Sequence, residues 1–125
     1  MSELKVLLVD DEIEFAGTLA ERLRLRGLNA SVTTDGQDAL RIAREETPNV
    51  MVVDVMMPGI SGLDVLRQIR ENFPQLPVIL LTGKGSTRDG IEGMRLGAFD
   101  YLVKPISIDD LIEKIREATK APNSA

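Results

Sequence analysis

The chain has 125 residues, 43% of them hydrophobic and 28% charged, which suits one domain with a real core. Fifteen basic against twenty acidic residues leave a formal charge of −5, which argues against nucleic acid as the main ligand, because a phosphate backbone needs a basic footprint. The absence of cysteine and histidine removes disulfides, thiolate chemistry, a Ser-His-Asp triad, a histidine metal site and any phosphohistidine made on this chain.

No apolar run approaches the ~20 residues needed to span a bilayer. The opening MSELKVLLVDD does not read as a signal peptide, so a cytoplasmic protein is expected. Leu4 to Val9 is an apolar strand apart from Lys5, and it ends in Asp10-Asp11-Glu12. Phe15, Ala16, Leu19, Ala20 and Leu23 recur at helical spacing, and Gly27 is the expected stop. Arg22, Arg24 and Arg26 are interrupted by other side chains and read as a solvated helix face. A short β-branched strand spans Asn29 to Thr33. Asp35 then caps a helix that buries Ala39, Leu40, Ile42 and Ala43 and is stopped by Pro48.

Val50 to Val53 is a second buried run, broken at Asp54. Met56, Met57 and Pro58-Gly59 turn the chain, and Ser61 with Asp64 opens a helix whose stripe is Leu63, Leu66, Ile69 and Phe73. Val78 to Leu81 is a strand ending at Thr82. Ser86 with Asp89 repeats the capping pattern before a helix over about Thr87 to Leu96. That helix has Gly90 and Gly93 in its interior, each costing roughly 1 kcal/mol relative to alanine. With Ile91 and Met94 as its expected anchors, it reads as the least stable helix, one that Gly→Ala changes would stiffen. Phe99 to Val103 is the fifth strand, followed by Lys104-Pro105. Ser107 caps a last helix with Leu111, Ile112, Ile115 and Ala118 on its buried side. Residues 121–125 form a polar tail or the start of a linker, leaving 1–120 as the domain.

Strand and helix thus alternate five times, which predicts an α/β doubly wound fold with a parallel sheet covered on both faces. In such a sheet the carboxyl ends of the strands border the ligand crevice. Asp10, Asp11, Asp54, Thr82 and Lys104 all stand at strand ends, so one acidic hollow is expected to collect them. An aspartate at one strand end is ordinarily a turn former or cap; endings of this kind on several strands are hard to assign to turns alone. Paired carboxylates at ~4 Å repel by roughly 4 kcal/mol at an effective dielectric near 20, before screening. A hard divalent cation such as Mg²⁺ offsets that repulsion and is commonly completed by phosphate oxygens. A carboxylate beside it is a plausible nucleophile toward phosphorus.

The motifs VLLVDDE, VVDVMMPGISGLDVL, ILLTGKG and GAFDYLVKPI, in this order and spacing, resemble the receiver domain of two-component response regulators over residues 4 to 118. The resemblance implies a flavodoxin-like (βα)5 fold with a five-stranded parallel sheet of order 2-1-3-4-5. It implies that Asp54 accepts a phosphoryl group and that Asp10, Asp11, Asp54 and the backbone carbonyl of Met56 bind Mg²⁺. Thr82 and Lys104 would contact the phosphate, Tyr101 would be the aromatic switch, and the Lys104-Pro105 bond would be cis. Pro58 would shape the loop, and Gly83 would keep the phosphate accessible. It further implies a signalling switch rather than a turnover enzyme. The expected donor is a sensor histidine kinase or histidine phosphotransfer protein. The expected output surface is the fourth helix, fifth strand and fifth helix, acting on an unspecified partner or effector domain without direct nucleic acid or membrane contact. Either a monomer or a phosphorylation-dependent dimer is compatible, as is either a single-domain regulator or part of a longer one. On the residues alone, two other classes stay open: a Mg²⁺-dependent phosphatase with an aspartyl nucleophile, and a flavin-binding module of the same topology. The first lacks the Asp-x-Asp arrangement after strand one, and the second lacks a glycine- and hydroxyl-rich phosphate cradle.

Overall fold

The computed structural model describes residues 4–85 and 87–120; the cap expected at Ser86 and the tail 121–125 lie outside the described residues. The apolar runs form β1 (Lys5–Val9), β2 (Asn29–Thr33), β3 (Val50–Asp54), β4 (Val78–Thr82) and β5 (Asp100–Val103). Between and after them lie α1 (Ile13–Leu25), α2 (Gly36–Glu45), α3 (Gly62–Asn72), α4 (Thr87–Arg95) and α5 (Ile108–Thr119). All strand pairs are parallel and the order is β2-β1-β3-β4-β5, as expected.

Alternation along each strand divides the core in two. Leu7, Val9, Met51, Val53, Val78 and Leu80 face one layer, with α2 and α3 against it. Val6, Leu8, Val50, Val52, Ile79 and Leu81 face the other, with α1 and α5. Because β3 and β4 are buried at every residue, they read as continuous apolar runs, whereas the edge strands β2 and β5 are only partly covered.

Local chemistry sets the helix ends. Asp35 Oδ1 accepts from Gln37 N at 3.1 Å, Ser107 Oγ from Asp110 N at 3.4 Å, and Ser61 with Asp64 closes a reciprocal capping box. Gly27, at φ +88°, follows α1 in the left-handed conformation that a helix stop of this type requires. The stripe of α3 differs from expectation: Val65 is fully buried, and Leu63 and Phe73 are only partly so. Pro48 lies beyond the last turn of α2, which ends at Glu45.

Helix α4 corrects the sequence reading. Ile91 and Met94 are exposed rather than anchoring, and the buried residues are Gly90 and Gly93. A Cβ on Gly93 would collide with the Leu80 side chain, and one on Gly90 would lie 2.6 Å from the Tyr101 ring. The glycines let the helix backbone sit directly on β4 and β5. They are packing residues, and their cost in helix propensity is the condition of that close approach.

Candidate phosphate and metal site

The end of β1 delivers Asp10, which is 2% exposed. Its backbone N–H donates to Thr33 O at 3.1 Å, and its Oδ1 accepts from Glu12 N at 2.9 Å, so the carboxylate itself turns the chain into α1. The last residue of β3, Asp54, is 4% exposed. Val55 N–H donates to Leu81 O at 3.0 Å and Met56 N–H reaches Asp54 Oδ1 at 3.4 Å. Behind it, Gly62 opens α3 against the Asp54 carbonyl, where any side chain would overlap the backbone.

Lys104 arrives from the far side of the sheet. Its N–H donates to Thr82 O at 2.7 Å, and the bond to Pro105 is cis, as expected. Its Nζ lies 2.9 Å from Glu12 Oε1, 3.2 Å from Asp10 Oδ2 and 3.7 Å from Asp54 Oδ1, and 4.5 Å from the centre of the Phe15 ring. The ends of β1, β3 and β5 therefore meet around one ammonium.

Burial is the largest influence on Asp54 and raises its pKa from 3.8 to about 6; the Asp10 charge adds to this, and Lys104, the Met56 N–H and Asp11 are smaller influences, only the last of them upward. For Lys104, burial works against the charge, but the Glu12 hydrogen bond and the charges of Asp10 and Asp54 outweigh it and raise the pKa. Glu12 is held below the usual carboxylate range by its hydrogen bond to Lys104 and by that charge.

Oxygen atoms of Asp10, Glu12 and Asp54 lie within 4.8 Å of one another, a set of hard donors compatible with a small divalent cation. Asp11 is exposed and stands outside this trio, although near enough to act on Asp54. Met56 is 64% exposed, whereas Met57 packs into the core beside the exposed Pro58. Thr82 is fully buried, with its hydroxyl donating to Leu102 O at 3.5 Å. Tyr101 is half-buried against Gly90 and pairs with Leu80, two residues before Thr82 on the neighbouring strand. The space a side chain would fill at Gly83 is open to 4 Å. Sequence reasoning missed Glu12 and Phe15. The run DDEIEF carried both, three residues apart on a helix start, but only their three-dimensional relation to Lys104 marks them.

A sequence model of the response regulator receiver domain matches residues 6–116. The chain is 44% identical over 111 residues to a protein of Mycobacterium tuberculosis named probable transcriptional regulatory protein TcrX, covering 89% of this chain and 47% of that one. It is 40% identical over 121 residues to the probable transcriptional regulator ycf27 of Guillardia theta, covering 97% and 47%. The chain spans about half the length of the curated relatives it matches. Among solved structures, the receiver domain of the Francisella response regulator 1452 superposes with a TM-score of 0.86 at 35% identity, covering 94% of this chain and 97% of that one. A response regulator receiver domain protein from Clostridium thermocellum gives 0.89 at 35% identity, covering 93% and 94%.

Proposed function

Because the chain belongs to the response regulator receiver domain family of two-component systems, we propose that it is a switch set by transfer of a phosphoryl group to Asp54. The observation that carries this reading is the meeting of Asp10, Asp54 and Lys104, from three separate strand ends, around one ammonium. A carboxylate oxygen of Asp54 attacks phosphorus, the bond from phosphorus to the donor's imidazole nitrogen breaks, and that nitrogen leaves with the electron pair. These 125 residues hold no histidine, so the phosphohistidine lies outside them, on a sensor kinase or phosphotransfer protein.

Asp10, Asp11, Asp54 and the Met56 carbonyl would hold Mg²⁺; the closeness of the Asp10 and Asp54 oxygens supports their part of that set, while Asp11 and the Met56 carbonyl enter it from the family resemblance. When bound, Mg²⁺ neutralises charge on the carboxylates and on the transferring phosphoryl oxygens. Lys104 supplies a further positive charge, and the open position at Gly83 leaves room for the oxygens.

The added charge of roughly −1.5 to −2 draws Thr82 and Lys104 toward Asp54. Movement of Thr82 breaks its long bond to Leu102 O and frees space beside Tyr101, whose ring seats against α4. The change is thus passed to α4, β5 and α5, where Ile91, Met94 and Val103 offer exposed apolar side chains to a partner. The names and greater length of the relatives support an output on transcription through a further domain or protein. A cytoplasmic setting agrees with this, and no described helix is long and apolar enough to cross a membrane.

Intact-mass measurement after exposure to acetyl phosphate tests the chemistry. One phosphate adduct is expected on the wild-type chain, dependent on Mg²⁺ and absent from Asp54→Asn. An adduct of equal yield on Asp54→Asn rejects this acceptor, and continuous turnover of a phosphomonoester favours the phosphatase reading instead.

A further inference from the structure

Lys104 does not rest on the residue it would serve. Its closest acceptor is Glu12 Oε1 at 2.9 Å, and Asp54 Oδ1 at 3.7 Å lies beyond hydrogen-bond reach. Glu12 is anchored through its own N–H to Asp10 Oδ1, so its backbone cannot drift from the crevice while that bond lasts. Three residues on, the same face of α1 presents the Phe15 ring to the ammonium at 4.5 Å. Asp10 and Glu12 each accept a hydrogen bond from the Lys104 ammonium, and the Phe15 ring packs beside it.

From this geometry we infer that Glu12 is a positioning residue that seats Lys104 against α1 in the resting protein and competes with a phosphoryl group on Asp54 for its ammonium. The inference rests on the proposed roles of Asp54 and Lys104. Glu12 is the natural competitor because it is mostly exposed, with 63% of its side chain accessible, so water solvates it when the lysine leaves. Asp10, almost fully buried, gives no such release. The first turn of α1 would then set how readily the site accepts a tetrahedral anion, without touching that anion.

Beryllofluoride, a tetrahedral stand-in for a phosphoryl group, makes the competition measurable as an equilibrium. It is titrated by calorimetry into the chain at saturating Mg²⁺, so that loss of an acidic group does not alter metal occupancy. Glu12→Gln keeps size and polarity but removes the charge, and it should bind the probe roughly two- to fivefold more tightly, the span expected for a partly exposed ion pair. In a Lys104→Met background the same change should have no effect. Unchanged or weaker binding by Glu12→Gln overturns the inference. So does an equal gain in the Lys104→Met background, which would show that the carboxylate acts on the anion directly. If the wild-type chain fails to bind the probe, or Asp54→Asn binds it as well, the acceptor assignment falls and this inference with it, a failure distinct from the other two.

Discussion

At Asp54 burial and the Asp10 charge oppose ionisation more strongly than Lys104 and the Met56 N–H favour it, hence a pKa near 6 against an ordinary 3.8. The sign of the consequence follows from proton linkage. Between about pH 4 and pH 6 the folded chain holds a proton on Asp54 that the unfolded chain has lost, so stability falls as pH rises through this window. Above pH 6 the whole penalty is present, at most ~3 kcal/mol for a shift of about two pK units. Asp54→Asn removes it, while Lys104 keeps Asp10 and Glu12 as partners. Urea unfolding without Mg²⁺ should therefore show the variant more stable by roughly 1–2 kcal/mol at pH 7, a gain that fades toward pH 4. A variant less stable than wild type at pH 7 would mean that Asp54 is better paired than its burial implies. At this scale the sequence was informative where a polar residue interrupts an apolar run, as Asp54 and Thr82 do. It was silent on Glu12, because an acidic residue at a helix start has an ordinary reason to be there, and its bond to a lysine 92 positions away leaves no local trace.

Among the elements, α4 shows how a correct placement can carry a wrong cause. Spacing located the helix to within a residue and identified its two glycines, but propensity alone made them a source of weakness. In the fold they are where the helix touches the sheet. Gly93→Ala gains up to ~1 kcal/mol in helix propensity and forces a methyl group onto Leu80, a fully buried side chain, at an overpacking cost of about 1–3 kcal/mol. Net destabilisation of about 1 kcal/mol is expected. Gly17→Ala in α1 is the matched control: nothing lies within 4 Å of its added Cβ, so propensity acts alone and the chain should gain about 0.5–1 kcal/mol. Thermal melting of the two variants tests the contrast, and equal stabilisation of both would restore the view of Gly93 as a weak helix position. Ile91 and Met94 were misassigned for a related reason. Periodicity reports an apolar stripe without saying whether core or solvent lies beneath it, and here glycine occupies the contact while the larger side chains face outward.

Over the whole molecule, strand order was legible because alternating strands and helices with right-handed crossovers admit few arrangements, and because the central strands are apolar throughout. That order places the ends of β1 and β3 side by side and puts β5 two strands away, so Lys104 has to reach across β4 to meet Asp54. With Asp54 as the proposed acceptor, the same geometry would make the coupling one-sided. Changes at Asp54 would pass through Thr82 and Lys104 to β5 and α4, whereas α2 lies toward the other edge of the sheet, tied to β2 by the Thr33 hydroxyl donating to Asp38 Oδ2 at 2.8 Å. Hydrogen exchange followed by mass spectrometry, with Mg²⁺ and acetyl phosphate present or absent, should accordingly change most in peptides covering Thr87–Arg95 and Asp100–Val103. Peptides covering Gly36–Glu45 should exchange as before, and Asp54→Asn should abolish the difference. A response spread evenly over both layers would show that phosphorylation tightens the domain as a unit, and the exposed residues Ile91, Met94 and Val103 would then lose their claim to be a regulated surface.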